Sequence, residues 1–135
     1  MRAKDIPFIR HIGIEEKNQD LSLNFNEEVQ NHVQTIHASA QFALAETKSG
    51  LHLLSLFPEL EEKVIPLLRD AQIKYKKPAV EKITAYASIE DEAIEKFNMQ
   101  LDKKGRGTLC VKVQIKDIND ILCSEGEFNW FIQTL

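Results

Sequence analysis

The chain has few of the residues that build metal centres, disulfide frameworks or phosphate-binding loops. Its only two cysteines, Cys110 and Cys123, lie in strand-like sequence and form neither a CxxC pair nor a metal-ligand spacing. Three histidines, His11, His32 and His52, are scattered without ligand spacing. With only five glycines, the sequence has no Gly-rich phosphate loop, and no serine stands in a GxSxG motif. We therefore predict no metal site and no cofactor. We expect reduced thiols, with a disulfide or a nucleophilic cysteine as the alternatives.

Long apolar runs and an excess of positive charge are also missing. No run approaches the roughly 20 residues of a membrane span. The N-terminal segment MRAKDIPFIRHIGIEEK has no continuous apolar core and carries acids early, unlike a secretory signal. The net charge of −4 gives no general attraction to nucleic acid or to an anionic membrane. These absences predict a cytoplasmic protein with no membrane span and no nucleic-acid partner.

What is present fits an ordinary globular domain. The chain has 135 residues, of which 43% are hydrophobic and 28% charged, enough for a sizeable core. We predict one domain over residues 1–135, with residues 1–12 as an N-terminal arm.

The stretch from Asn31 to Gly50 combines a polar entry with an almost wholly apolar helix. Glu46 is the only acid of this helix and is surrounded by apolar residues. A helix that is apolar on nearly all sides is usually buried. A carboxylate on such a helix is costly unless it is paired, hydrogen-bonded or used in chemistry. Glu46 is therefore the first candidate for a functional residue.

Hydrophobic periodicity and turn residues predict the remaining elements. The helix starts near Ala38 with Thr35 or Ser39 as its N-cap and ends before Pro58. We expect a strand bulge at Pro66 and a C-cap at Gly105. In order, the predicted elements are extended pieces within 12–25 around a turn at 15–20, a helix at about 38–57, strands at 64–76 and 82–89, a helix at 90–104, and strands at 108–116 and 121–132. One long helix laid across a curved antiparallel sheet is an α+β arrangement.

The chain resembles the hot-dog fold of the acyl-CoA thioesterase superfamily, in its thioesterase-like branch. The resemblance rests on an Asn, a His six residues later followed by small residues, and then an acid within the helix. Here these positions are Asn31, His37, Ala38, Ser39, Ala40 and Glu46. Residues 73–89 resemble the strand pair of that family, and residues 105–132 its closing hairpin. The resemblance implies a curved antiparallel sheet wrapped around one long central helix.

The resemblance also implies an activity, which is hydrolysis of an acyl-CoA or acyl-carrier thioester. Glu46 would be the base or nucleophile, and Asn31 and His37 would position substrate or water. The backbone N–H groups of Ala38 and Ser39 would form the oxyanion hole, because a helix N-terminus offers free donors. The family builds such sites across a subunit interface, so we expect a homodimer or a dimer of dimers.

Two basic groups are weaker candidates for binding the phosphates of coenzyme A. Lys76 and Lys77 follow a strand, and Lys103 and Arg106 flank a helix end. The alternative is that these four residues are simply a solvated strand face and a helix C-terminus.

Structural readings stay open for the other candidates as well. Glu46 could pair with Lys48 or with a base of a partner chain. His37 could cap or orient its loop, and Asn31 could be a turn residue. Many members of the resembled family have Gly directly after the His, where this chain has Ala38, so a non-catalytic acyl or acyl-CoA binding module is the first alternative function. A hot-dog hydratase or dehydratase acting on enoyl thioesters is the second.

Overall fold

The computed structural model describes residues 1–135, and its elements follow the predicted order closely. Short 3-10 turns lie at Ala3–Asp5, Glu27–Val29 and Pro58–Leu60. The helices are α1 (Pro7–Ile12), α2 (Ala38–Leu56) and α3 (Asp91–Lys104). The strands are β1 (Glu15–Lys17), β2 (Asp20–Leu23), β3 (Val64–Tyr75), β4 (Ile83–Ser88), β5 (Arg106–Asp117) and β6 (Leu122–Thr134).

All six strands form one antiparallel sheet in the order β1-β2-β4-β5-β6-β3. The longest ladder is the β5–β6 hairpin, which runs from the pair Arg106 and Gln133 to the pair Lys116 and Leu122. On its other side β6 pairs with β3 along the full length of that strand. The strand β3 is therefore a twelve-residue edge with its outer backbone groups unpaired within the chain.

The sheet curves around α2, which packs against β2, β3, β4, β5 and β6. Alternate strand residues point towards α2 and are buried, which confirms the predicted α+β arrangement. The largest of these side chains are Leu21, Leu23, Ile83, Val111, Val113, Ile115, Phe128 and Ile132. Burial of side chains of this kind supplies most of the stabilisation of such a fold, at about 1.5–3 kcal/mol each.

The two long helices end where the sequence predicted. Helix α2 runs through Gly50 without a break and stops two residues before Pro58. Helix α3 ends at Gly105, which adopts the left-handed conformation with φ +67°. The fully buried Phe97 of α3 meets Phe57, with ring centroids 5.2 Å apart. No helix of the structure is long and apolar enough to cross a membrane.

Two details of the predicted strands are wrong. The turn expected at 15–20 is only two residues long, because Asn18 and Gln19 both adopt positive φ, and the residues before them form β1. The bulge expected at Pro66 lies instead between Leu68 and Asp70, and Pro66 pairs normally with Ile132. Pro66 has no N–H to donate, and it is tolerated because β3 is an edge strand.

Candidate functional site

The start of α2 has one free backbone donor. The N-cap is His37, not Thr35 or Ser39 as predicted, and its Nδ1 accepts a hydrogen bond from the N–H of Ser39 at 2.9 Å. The N–H groups of Ala40 and Gln41 donate to the carbonyl of His37. The N–H of Ala38 has no acceptor within the protein. Of the two amides proposed for an oxyanion hole, Ala38 is thus available and Ser39 is occupied.

A groove of about 290 Å³ opens beside this free donor. Its lining residues come from the loop before α2, the first turn of α2 and the end of β3: Asn31, Val33, Thr35, Ile36, Ala38, Gln41, Tyr75, Lys76, Lys77 and Pro78. The groove therefore brings together Asn31, Ala38, Lys76 and Lys77 from the predicted site. His37, Ser39 and Glu46 do not line it.

Asn31 organises the loop that forms one wall of the groove. Its Oδ1 accepts from the N–H groups of Val33 and Thr35, both at 3.0 Å, and its Nδ2 donates to Thr35 Oγ1 at 2.8 Å. Both lone-pair directions of Oδ1 are thus used, and one hydrogen of Nδ2 remains for a ligand.

Two polar side chains that line the groove, Tyr75 and Gln41, escaped the sequence analysis as site residues. Tyr75 donates its hydroxyl to the carbonyl of Ala38 at 3.0 Å, and burial raises the pKa of this phenol. Gln41, which is 4% exposed, accepts at Oε1 from Ser124 Oγ at 2.7 Å. An amide inside an apolar helix was the signal available for Gln41, but its partner lies 83 residues away in sequence.

Glu46 lies on the side of α2 that faces β6 and the neighbouring edge strand β3. One turn before it, Phe42 packs on Phe128 with ring centroids 5.4 Å apart. One turn after it, Ser49 Oγ accepts from Trp130 Nε1 at 2.9 Å. Eight residues separate Ala38 from Glu46, which places them about 12 Å apart along the helix axis. Within one chain, the carboxylate is therefore two turns away from the free amide.

The Glu46 carboxylate has no hydrogen bond or ion pair within the chain. The suggested partner Lys48 donates instead to the carbonyl of Gln19 at 2.9 Å. Partial burial raises the pKa of Glu46 above its ordinary value, because desolvation disfavours the charged form. A half-buried, unpaired carboxylate with a raised pKa has the properties of a general base.

The two basic groups lie at opposite ends of the sheet. Lys76 pairs with Glu125 at 2.8 Å, which lowers the pKa of Glu125, and Lys77 makes no ion pair. The backbone of Lys76 bonds to Cys123 at one end of β6, whereas Arg106 pairs with Gln133 near the other end. At about 3.3 Å per residue this separation is roughly 30 Å, so Lys103 and Arg106 do not reach the groove of their own chain.

The cysteines do not form a disulfide and carry no sign of nucleophilic activation. Cys110 is half-buried and Cys123 is buried. Burial raises the pKa of both thiols, so the neutral thiol is favoured. No cluster of three or more His, Cys, Asp or Glu side chains is placed to hold a metal ion.

A larger concavity, of about 550 Å³, lies elsewhere, on the face of the sheet that points away from α2. Most of its lining residues are polar, and Lys112 in it is paired with Glu90 at 2.7 Å. It contains none of the predicted site residues. We place the candidate site at the smaller groove, because it borders the free N-terminal donor of the buried helix α2.

A protein-family model matches residues 7–132 of the chain. The chain belongs to the DUF4442 family. The family is described as a domain of unknown function, so membership assigns no reaction. Among curated proteins, none matches the chain.

Solved structures share the fold of this DUF4442 chain at low sequence identity. A Pseudomonas aeruginosa protein of unknown function, described as a probable thioesterase, is 19% identical with a TM-score of 0.83, covering 98% of this chain and 90% of its own. A Haemophilus influenzae thioesterase is 19% identical with a TM-score of 0.78, covering 98% and 86%. A Bacillus halodurans protein solved with CoA is 19% identical with a TM-score of 0.70, covering 90% and 72%. These similarities confirm the predicted hot-dog fold.

Proposed function

We propose that this protein hydrolyses an acyl-CoA or related thioester, and that it does so as a homo-oligomer. The observation that carries the proposal is the free N–H of Ala38 at the start of a buried helix, opening on a groove bordered by Lys76 and Lys77. A helix N-terminus of this kind stabilises the negative charge that develops on a carbonyl oxygen under attack. The thioesterase descriptions of proteins with the same fold support this choice of reaction.

In the proposed reaction, the thioester carbonyl oxygen accepts from the N–H of Ala38. Water attacks the carbonyl carbon and loses its proton to Glu46. The carbon–sulfur bond then breaks, and the departing thiolate takes up the proton, which leaves an acid and a free thiol. Direct attack by the Glu46 carboxylate is the variant with a covalent intermediate. His37 and Asn31 keep their proposed roles of positioning substrate or water. Ser39 can join the oxyanion hole only if its N–H is released from the hydrogen bond to His37 Nδ1.

Two subunits are needed because one chain does not unite the donor and the base. The separation of about 12 Å along α2 is too long for both groups to touch one reacting carbonyl. A two-fold axis beside β3 sets two α2 helices antiparallel, so that Glu46 of one chain approaches Ala38 of the other. The same operation brings the Lys103 and Arg106 end of one subunit towards the Lys76 and Lys77 end of its partner, where CoA phosphates would bind.

The binding of CoA by the Bacillus halodurans protein supports a CoA thioester over other carriers. The two free cysteines are in keeping with a reducing, cytoplasmic location. A non-catalytic acyl-CoA binding module is the second candidate, because the groove of one chain offers an oxygen-binding donor and lysines without any base.

The test is replacement of the free amide. Ala38 is the first residue of α2, where proline is well accepted and removes only an N–H that the helix does not use. His37 before it has φ −58° and ψ 139°, a conformation compatible with a following proline. We expect Ala38→Pro to fold normally and to lose about 10²- to 10³-fold in kcat, the usual effect of removing one oxyanion donor.

Activity is measured as free thiol released from a panel of acyl-CoAs that vary in chain length and aromaticity. Ala38→Gly is the matched control, since it keeps the N–H and should keep most of the turnover. Full activity in Ala38→Pro would remove Ala38 from the mechanism. A wild-type protein that releases no thiol from any acyl-CoA, yet binds one intact, would favour the binding module.

A further inference from the structure

Gln41 is a buried amide with one end satisfied and the other end facing the candidate groove. It lies three residues after Ala38 and therefore on the same side of the first turns of α2. Its side chain is 4% exposed, and Ser124 next to it is fully buried. The register places Ser124 opposite Tyr75, and Tyr75 and Gln41 both line the groove, so Ser124 lies behind its wall.

The hydrogen bond to Ser124 fixes which way the amide points. Ser124 Oγ lies 2.7 Å from Gln41 Oε1, and the hydroxyl has no other hydrogen-bond partner. If the amide were reversed, Nε2 would donate to Ser124 and the buried hydroxyl would keep its own hydrogen unpaired, which costs free energy. Because the hydroxyl hydrogen of Ser124 needs an acceptor, Oε1 points towards Ser124 and Nε2 points away from it.

The Nε2 group has no acceptor within the protein. Every fully buried side-chain nitrogen or oxygen of the structure has a hydrogen-bond partner. Since Nε2 has none, it must be partly accessible to solvent. Since Gln41 lines the groove, Nε2 presents its two hydrogens there. A buried amide normally finds partners for its donors, so a pair of free N–H groups in a groove points to a ligand acceptor.

We propose that Gln41 is the second donor to the thioester carbonyl oxygen, and that Ser124 is the positioning residue that orients it. The proposal rests on the proposed function above. The N–H of Ser39 is occupied by His37 and cannot serve as the second donor. With Gln41 in that role, the groove offers one backbone donor from Ala38 and one side-chain donor from Gln41. Tyr75 cannot serve in this role while its hydroxyl donates to the carbonyl of Ala38.

The first experiment measures recognition of a carbonyl apart from turnover. Two ligands are compared by calorimetry: the analogue of hexanoyl-CoA in which a methylene replaces the sulfur, and S-hexyl-CoA, which lacks the carbonyl. We expect Gln41→Met to weaken binding of the carbonyl ligand by about 5- to 10-fold, as for one lost hydrogen bond. Binding of S-hexyl-CoA should not change. Equal effects on both ligands, or no effect on either, would overturn the proposal.

The second experiment measures kinetics on the best acyl-CoA of the panel. Gln41→Met should lower kcat by about 10²-fold with little change in KM, as for an oxyanion donor. Ser124→Ala should lower kcat by less, and it should add nothing in the Gln41→Met background, because Ser124 acts only through Gln41. A full additional loss in the double variant would overturn the positioning role.

The double variant is also the folding control. Gln41→Met alone leaves the buried hydroxyl of Ser124 without a partner, whereas Gln41→Met with Ser124→Ala replaces both partners by apolar groups. A folded double variant with low kcat supports the proposal, and one with wild-type kcat overturns it. A wild-type protein that turns over no thioester but still distinguishes the two ligands would end the proposed function while the carbonyl-binding role of Gln41 stands. Failure of the wild type to bind either ligand would overturn both.

Discussion

At the residue scale, Glu46 is half-buried and lacks any partner of opposite charge in its own chain. Replacement by glutamine keeps its size and hydrogen-bonding capacity and removes the charge. If Glu46 takes a proton in the chemical step, Glu46→Gln should lower kcat by about 10²-fold or more with little change in KM. Thiol-release kinetics on the folded protein measure both constants. Unreduced turnover by a stable Glu46→Gln dimer would contradict the role.

The same substitution has an expected dependence of stability on pH. Burial raises the pKa of Glu46 above 4.5, its ordinary value, so the folded state binds the proton more tightly than the unfolded state. The protonated carboxyl therefore contributes its full stabilisation below the pKa that Glu46 has in the unfolded chain. This contribution is lost as the pH rises through the pKa that Glu46 has in the folded protein. Glu46→Gln should therefore be more stable than wild type at neutral pH, and this advantage should shrink towards pH 4.5 and below.

Urea denaturation at several pH values measures this difference. Glu59→Gln is the control, because Glu59 is exposed and makes no ion pair. A stability difference between Glu46→Gln and wild type that is constant across pH would show that folding does not raise the pKa of Glu46. A loss of stability at neutral pH would show that the ionised carboxylate is paired in the assembled protein.

Single residues differ in how far the sequence could reveal their roles. Glu46 stood out because a helix that is apolar on nearly all sides is usually buried, and burial of an unpaired carboxylate is costly. Asn31 was a candidate by its spacing to His37, yet its hydrogen bonds to Val33 and Thr35 depend on a loop conformation that composition does not specify. Gln41 needed Ser124, which only the folded sheet brings beside it.

At the element scale, the start of α2 depends on an N-cap that also stands next to the proposed site. His37 Nδ1 accepts the N–H of Ser39, so His37→Ala should destabilise the protein by about 1 kcal/mol. His37→Ser restores an oxygen acceptor at the N-cap and should recover most of this stability. Thermal unfolding of the three proteins measures the effect, and equal stability of His37→Ala and wild type would contradict it.

The pair of variants separates the structural role of His37 from a role in the reaction. If His37 only caps α2, His37→Ser should recover turnover together with stability. If it also positions substrate or water, stability should return while kcat/KM stays low.

The sequence predicts those features of an element that depend on residues next to each other in the chain. Pro58 and Gly105 act through their own backbone, so the ends of α2 and α3 were predictable. The N-cap was not, because three neighbouring polar residues could each supply an acceptor. The bulge at Arg69 was also hidden, since it depends on pairing with β6 and leaves the guanidinium 4.2 Å from the ring of Phe131.

At the scale of the whole molecule, β3 is a long edge strand with two neighbouring apolar side chains exposed. Ile65 is 47% and Leu67 55% exposed on this strand. Such an edge invites pairing with another chain, and a two-fold axis beside it would join two sheets into one. We expect a dimer at micromolar concentration, and we expect Ile65→Lys with Leu67→Lys to shift it towards monomer.

Light scattering and sedimentation measure the assembly. Ile118→Lys is the matched control, because Ile118 is 64% exposed but lies in the turn after β5, away from the β3 edge. A monomeric wild type, or a dimer that Ile118→Lys weakens as much as the β3 pair does, would contradict an interface at β3.

Mixed dimers decide whether the site is shared between subunits. Ala38→Pro removes the donor and Glu46→Gln removes the base, so each homodimer should be inactive. After mixing in equal amounts and reassembly, half of the dimers are hybrids. In each hybrid the intact Ala38 of one chain faces the intact Glu46 of the other, so activity should return to about a quarter of wild type. If both groups acted within one chain, every hybrid site would carry a defect and no activity would return. Gln41→Met extends the same logic, since it belongs to the Ala38 half: it should complement Glu46→Gln and fail to complement Ala38→Pro.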